Sequence, residues 1–503
     1  MNRSGDPAVK TLLATAASVL ALAASAGVAG AQDWRAAAEQ DLTAAREALA
    51  ANHPAAVIDA PSSAQFRTWL DEGYAEAQGN LGRVNSPNAY AYLLRGYGYG
   101  FRDANISLGP TWAGREPWDG VAWANFTTAW RDGAYVVTWV KEGVRRNVPQ
   151  VGWVLDSCDG TPAEEFARQR LDRWEGDLNL EADRIETAPY LFWDRGNPMA
   201  GGMPSECRFM DGRRRRNVDI VTDFAAPEDR EAAYRASAYV PPSVPLAVEM
   251  VGDLAWVNIH TLADDADWAA FLAQVDAQQS AIRGAPGVVI DLRGADGISA
   301  SAASYVLRTA ARIWEPEIIG AAQPTDAQIS YRATPANREW FAQALARMQA
   351  DPAFVANNQA TIDETQAVVA AFDQAIQAGQ QTFTRPVPSP GEIETGANPV
   401  RGNVVVLIDG GCSGGCLDAV DVLKDLPNVR LAGQTTSADT LFIEPTITAL
   451  PSTFGRVVYG HKAWINRERA SNEPHAPDQG LAYSGDPTDE AAVRAWVAGL
   501  FGA

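Results

Sequence analysis

A serine stands where a buried strand turns into a helix. The apolar β-branched run at Val404–Ile408 ends in an Asp-Gly-Gly turn, and an amphipathic pattern begins at Leu417. Hydrolases use such a turn to lift a nucleophile out of a sheet and surround it with the free amides of the helix start. Ser413 is therefore the candidate nucleophile, with the N–H groups of Gly414 and Gly415 as candidate oxyanion donors. Alternatively, the serine only caps the helix.

A serine hydroxyl is a weak nucleophile until a neighbouring base takes its proton. Two histidines, His461 and His475, follow the turn, and Asp439 or Glu444 could orient one of them. The segment Gly411–Gly415 also satisfies the G-x-S-x-G pattern of α/β-hydrolases, in which nucleophile, acid and histidine follow in this order. An esterase of that type is a second enzymatic interpretation.

The first residues predict export. Arg3 and Lys10 precede an apolar stretch that ends in the small-x-small sequence Ala29-Gly30-Ala31. This pattern is typical of a secretory signal peptide over residues 1–31, with cleavage after Ala31. No later stretch is long and apolar enough to span a bilayer. We therefore expect a secreted or periplasmic protein.

The compartment decides how the four cysteines are interpreted. Disulfides persist outside the cytosol. Cys412 and Cys416 lie four residues apart at a helix start, a spacing that brings their Cα atoms to roughly 6 Å, within disulfide reach. We expect the pairs Cys412–Cys416 and Cys158–Cys207. No histidine lies close in sequence to either pair, so no metal site is expected, and no cofactor is predicted.

The net charge of −21 argues against nucleic acid as a partner, because such partners require a basic face. Arg213–Arg216 is the only basic run. It follows the turn signal at Asp211-Gly212, which favours a solvated hairpin end over a binding patch.

Periodicity divides the mature chain into regions and predicts a multidomain α/β (α+β) fold. Residues 32–104 contain three helix-period segments, and residues 105–245 alternate in the manner of hairpins, which suits a small peptide-binding module. Residues 246–485 alternate strands and helices, which predicts a mostly parallel sheet with a helical insertion at 328–381. Residues 486–503 add a C-terminal helix.

Six phrases in one order resemble the tail-specific, or C-terminal processing, serine peptidases. They are Phe101–Asn105, Cys158–Ala163, Asp291–Gly297, Asp409–Cys416, Ala432–Thr436 and Asn472–Asp478. The resemblance covers most of the mature chain. It implies a PDZ-like module at 105–245, a ClpP/crotonase-like core at 246–485, Gly294 in the oxyanion hole, and peptide or unfolded protein segments as partners.

The catalytic positions of that family are replaced in this chain. In that family the nucleophile stands five residues after the Asp that ends the strand. Counted from Asp409, this position is Gly414 in this chain, so Ser413 stands one residue early. The histidine of its Asp-x-His phrase is Asn105, and the base of its lysine-using branch falls in Ser437–Asp439, which has no lysine. The amide of Asn105 cannot act as a general base. A misplacement of the nucleophile by about 1 Å can cost ~100-fold in rate.

Two further interpretations follow from these replacements. The chain is either a serine peptidase that uses Ser413 with a base from elsewhere, or an inactive pseudopeptidase that binds peptides by strand addition.

Overall fold

The computed structural model describes residues 33–111, 121–238, 246–263, 266–297, 302–387, 396–487 and 489–502. Trp34–Ala503 forms one compact unit. The predicted signal peptide and its cleavage site lie outside the described residues and stay a prediction. No helix in the described ranges has the length and apolar character needed to cross a bilayer.

The three helix-period segments near the N-terminus are helices, as predicted. They are α1 (Trp34–Asn52), α2 (Pro61–Asn80) and α3 (Pro87–Tyr99). The sequence His53-Pro54 ends α1, because a proline cannot continue the helical hydrogen bonds. The apolar faces of these helices share one core with Phe442 and Tyr459 from late in the chain. The helical region is therefore packed onto the C-terminal part.

The middle region is β-rich, as predicted. Its elements are β1 (Ser107–Pro110), β2 (Ala122–Trp123), β3 (Phe126–Arg131), β4 (Ala134–Val140), β5 (Val154–Cys158), β6 (Thr161–Pro162), α4 (Ala163–Leu171), α5 (Glu181–Thr187), β7 (Trp193–Asp194), β8 (Glu206–Asp211), β9 (Arg214–Asp219), β10 (Asp223–Phe224) and α6 (Pro227–Ser237). One sheet has the order β3-β4-β5-β8-β9, and β2 lies between β10 and β7. The disulfide Cys158–Cys207, predicted from the sequence, joins facing residues of β5 and β8.

The C-terminal region alternates strands and helices. Its elements are β11 (Ala247–Val251), β12 (Leu254–Asn258), α7 (Trp268–Gly284), β13 (Gly287–Asp291), β14 (Asp296–Gly297), α8 (Ala302–Ile313), α9 (Pro316–Ala321), β15 (Gln328–Arg332), α10 (Pro335–Ala350), α11 (Pro352–Asn357), α12 (Gln359–Gln377), β16 (Thr382–Pro386), β17 (Asn403–Ile408), β18 (Ser413–Gly414), α13 (Gly415–Leu423), β19 (Val429–Gly433), β20 (Phe442–Ala449), β21 (Gly455–Ile465) and α14 (Glu490–Phe501).

Two sheets organise these elements. The first has the order β11-β12-β13-β17-β19 and is parallel except for β11, which agrees with the predicted mostly parallel sheet. The second has the order β1-β21-β15-β16, with β20 also on β21. Its strand β1 comes from the middle region, so the two regions share a sheet.

The predicted insertion at 328–381 begins differently from its prediction. Gln328–Arg332 is the strand β15, and the helices α10, α11 and α12 start only after it. Tyr331 stacks on Phe383 of the neighbouring β16 at 4.8 Å between ring centroids. The alternation of polar and apolar residues over 328–332 outweighs the helical composition of residues 333–381, because β15 pairs on both sides.

Candidate functional site

The apex of the strand-to-helix turn is a glycine. Ser413 and Gly414 form β18, which pairs with β14, and α13 begins at Gly415. Gly414 has φ 54° and ψ −120°. Side chains adopt this region only under strain, and a nucleophile at the apex of a hydrolase elbow sits on such a strained turn. The structure therefore places Gly414 at the apex, and Ser413 precedes it with a partly exposed side chain.

Short contacts hold the turn in place. The Asp409 carboxylate accepts the N–H groups of Gly294 at 2.9 Å and Gly411 at 2.8 Å. A Cβ on Gly411 would lie 2.6 Å from the Gly294 Cα, so the two loops approach as closely as glycines allow. The predicted disulfide Cys412–Cys416 also spans the turn, with 5.4 Å between Cα atoms.

The predicted oxyanion donors differ in whether their N–H groups already have an acceptor. Gly294 is a correction, because its N–H already donates to Asp409 and is not directed at a substrate oxygen. Gly415 is the first residue of α13, where a helix N–H has no acceptor within the helix. Gly414 immediately precedes it. Gly414 and Gly415 therefore keep the position expected of oxyanion donors.

The carboxylate beside His475 is neither of the two predicted. His475 Nε2 lies 3.0 Å from Asp421 Oδ1 and 3.3 Å from the Leu417 carbonyl oxygen, and its backbone is paired with Thr436. Burial alone would raise the pKa of Asp421, but the bonds from His475 and Arg469 outweigh it, and the pKa lies below its ordinary value. His475 therefore stabilises α13 through its contacts with Asp421 and the Leu417 carbonyl oxygen.

Asp439 and Glu444 are held by cations. Asp439 accepts bonds from Arg467 at 2.9 Å and from the buried Arg469, which also binds Asp418 and Asp421 of α13. Glu444 pairs with Lys462 across β20 and β21. The predicted acid–histidine pairs are thus wrong in their partners, because arginines and a lysine that are distant in sequence neutralise these carboxylates.

All four histidines of the chain are described, and none has Ser413 as a partner. His461 is buried against Trp340 and Phe341, and burial holds its pKa well below the usual value. His260 Nδ1 lies 2.9 Å from the Arg293 carbonyl oxygen. His53 accepts the Ala55 N–H, and burial lowers its pKa too. Within the described residues, Ser413 Oγ makes no hydrogen bond that would activate it.

The side-chain amide of Asn105 is bound to a backbone carbonyl. Its Nδ2 donates to the Phe442 oxygen at 2.8 Å, and its backbone N–H donates to Asp103 at 2.9 Å. Ser437 donates to the Cys412 oxygen at 2.9 Å. Asn105 and the turn therefore contact the two ends of one segment, 437–442, which spans at most ~17 Å when extended. That the turn faces Asp103 and Asn105 stays a prediction.

Sequence reasoning missed Asp421, Arg469 and His53. Asp421 lies three residues after Asp418 on the first turns of α13, and this spacing on one helix face was the available signal. No local sequence pattern indicated that Arg469 would bind these carboxylates. His53 Nε2 lies 3.7 Å from Asp103 Oδ2, and its ring stacks on Phe66. The described residues contain no group of three or more His, Cys, Asp or Glu side chains suited to a metal ion.

Two cavities are lined by residues that contact Asn105 or the turn. One of about 570 Å³ is lined by Phe66, Phe101, Asp103, Phe442 and Asn472 among others, and Asp103 and Phe442 accept hydrogen bonds from Asn105. The other, of about 270 Å³, is the module–core cleft, lined by Ala129–Asp132 of the β3–β4 hairpin, Glu181 and Ile185 of α5, Gly433–Thr435 and residues 482–487.

Comparisons with known proteins agree on the fold. No protein-family model matches the chain, and no curated protein sequence matches it. The structure of mature CPAF complexed with lactacystin is similar over 94% of this chain and 100% of that chain, with a TM-score of 0.56 and 13% identity. The structure of mature CPAF without that ligand is similar over 89% of this chain and 92% of that chain, with a TM-score of 0.54 and 13% identity. The photosystem II D1 C-terminal processing protease is similar over 89% of this chain and 92% of that chain, at a TM-score of 0.31 and 11% identity.

The chain has a multidomain α/β fold. That fold is similar to the fold of CPAF. At such low identity the likeness concerns the fold, so the chemistry must be argued from the residues of this chain.

Proposed function

We propose that this protein is an exported pseudopeptidase, which binds extended peptide or unfolded protein segments without cleaving them. One observation carries the proposal: the apex of the turn is Gly414, while Asn105 donates its amide to the Phe442 carbonyl. Cleavage of a peptide bond needs a nucleophile with a base beside it. Neither family position supplies one.

Ser413 does not restore the missing pair. Its candidate histidines bind Asp421 or are buried among aromatic rings, and the nearest lysine in sequence, Lys424, is at the far end of α13. A serine without a base keeps its proton at neutral pH. The esterase interpretation is weakened by the same geometry, because it needs the serine of G-x-S-x-G at the apex.

The module–core cleft supports peptide binding. It runs between the β3–β4 hairpin, α5 and the end of β19, next to the turn. A Cβ on Gly410 would come 3.9 Å from the carbonyl oxygen of Thr435, which lines the cleft, so one lining residue contacts the turn. A peptide that adds to a strand edge gains main-chain bonds there without any catalytic group.

Labelling with a fluorophosphonate probe tests the catalytic part. The native protein and Ser413→Ala should both stay unlabelled. Labelling of the native protein that disappears in Ser413→Ala would overturn the proposal. The double variant Gly414→Ser with Asn105→His restores both family positions and is expected to gain labelling, after circular dichroism confirms that it folds.

Binding of a reduced, carboxymethylated unfolded protein tests the other part. Ala482 is exposed and lines the module–core cleft, so Ala482→Trp should fill it and weaken binding by about tenfold. Ala350→Trp places the same side chain on an exposed end of α10 and should leave binding unchanged. Equal binding by both variants would exclude this cleft.

A further inference from the structure

The hairpin that carries the arginine run ends in an open sheet edge. β9 pairs with β8 on one side, and in the described part of the chain it has no strand on its other side. Gly212 and Arg213 form the tight turn between the two strands. Along β9 only Val218 is buried, so the run lies at a solvent-exposed hairpin end, as the turn signal predicted, and the edge is accessible.

The register decides which backbone groups face outward. Ile220 N–H donates to the Ser205 oxygen at 2.8 Å. Hydrogen-bonded pairs alternate along an antiparallel ladder, so Val218, Arg216 and Arg214 direct their backbone groups to β8. The N–H and C=O groups of the intervening residues, Arg215 and Asn217, therefore point away from the sheet and are available to another strand.

The charge of this edge is opposite to that of the protein. The chain carries −21 overall, yet Arg213–Arg216 are all exposed at one hairpin end. Arg216 pairs with Asp211 at 3.4 Å, and both side chains are nearly half exposed. No ion pair among the described residues involves Arg213, Arg214 or Arg215. Arg214 and Arg216 project on one face of the strand and Arg215 on the other.

We propose that the β9 edge binds an extended acidic peptide segment by strand addition. An added strand would bond to the outward backbone groups, and its acidic side chains would meet arginines on both faces. A second copy of the same edge is disfavoured, because arginines would face arginines. β9 is at the opposite end of its sheet from β3, roughly 19 Å away at ~4.8 Å per strand, so this site is separate from the module–core cleft.

Fluorescence anisotropy with the mature protein and a blocked peptide of Glu-Glu-Thr repeats, which places glutamates on both faces of a strand, tests the charge requirement. Binding should weaken as salt rises. The triple variant Arg214→Gln, Arg215→Gln, Arg216→Gln should bind at least about tenfold more weakly. The variant Arg35→Gln, Arg145→Gln, Arg146→Gln makes the same change at exposed arginines elsewhere and should bind normally. Ala482→Trp should also bind normally, which separates this site from the module–core cleft.

A proline tests the strand geometry. Asn217→Pro removes one outward N–H while the bonds to β8 remain, and prolines are tolerated at such edge positions. It should abolish binding, whereas Asn217→Ala should retain it. A peptide N-methylated on alternate amides should fail to bind the native protein.

Three results would overturn the proposal. The first is equal binding by Asn217→Pro and Asn217→Ala. The second is equal binding of an oligonucleotide at the same arginines, which would indicate a general polyanion site. The third is that the native protein binds no peptide while the arginine triple variant self-associates. The arginines would then serve to prevent association between sheet edges.

Discussion

Gly414 occupies the apex of the strand-to-helix turn, the position from which a nucleophile elbow presents its side chain. A serine nucleophile at such an apex sits in a backbone conformation that costs of order 1–3 kcal/mol. Gly414 adopts φ 54° and ψ −120° without that cost. Ser413, one residue earlier, lies in the short strand pair with β14 instead. A glycine at the apex therefore allows this turn to form without strain.

Gly414→Ala should lower the free energy of unfolding by about 1–3 kcal/mol, because the added Cβ strains this conformation. Urea denaturation measures the effect. Gly499→Ala is the matched control, since Gly499 is in α14 with no atom within 4 Å of a new Cβ, and it should be neutral or stabilising. A loss in Gly414→Ala no larger than in the control would show that the apex is unstrained.

At the scale of elements, α5 joins the middle region to the turn. Its Ala182 lies against Gly410, and Asp183 accepts the Asp177 N–H at 2.6 Å. Burial raises the pKa of Asp183 to about 7. The folded state therefore retains a proton on this carboxyl that the unfolded chain releases near pH ~4. This contribution to stability is present at low pH and is lost as the pH rises from about 4 to 7.

Asp183→Asn should remove this pH dependence while its side-chain oxygen still accepts the Asp177 N–H. The variant should be more stable than the native protein at about pH 8, and the difference should shrink toward about pH 4. Urea denaturation across this range measures it. Asp59→Asn, at a fully exposed side chain, should follow the native curve. An Asp183→Asn curve parallel to the native one would contradict the assignment.

At the scale of the whole molecule, one buried arginine connects elements that are distant in sequence. Arg469 binds Asp418 and Asp421 on α13 and Asp439 beyond β19. Its own side chain is only 2% exposed. The network holds α13, and with it the turn, against the segment that reaches Asn105. Ion pairs between residues distant in sequence therefore help to hold the turn in its position.

Arg469→Met should destabilise the fold by about 3–5 kcal/mol, because three carboxylates lose a buried partner. Arg235→Met is the control, since Arg235 and Glu231 form a pair that is 67% and 66% exposed, and its loss should cost less than ~1 kcal/mol. Thermal or urea unfolding compares the two variants. Similar losses in both would show that the network contributes no more than a surface pair.

Local patterns predicted much of the fold. Helix α1 has the predicted bounds, both disulfides have the predicted partners, and the parallel sheet has the predicted strands. The strand β15 was missed, because a five-residue alternation is a weak signal beside a long helical composition. The position of the turn could also be predicted, since it depends on spacing within a few residues.

The amino-acid sequence by itself determined most of the helices and strands and the residues that stand at the strand-to-helix turn, because propensity, turn chemistry and short spacings act within one or two turns of the chain. Only the tertiary structure decided the partner of each charged group. His475 pairs with Asp421 instead of Asp439, and Asp439 pairs with arginines. In the sequence alone, carboxylates far from a histidine or arginine are equivalent candidates for its partner. Packing brings one of them within reach, and the Coulomb energy of the pair depends on the distance between the two charges and on their burial.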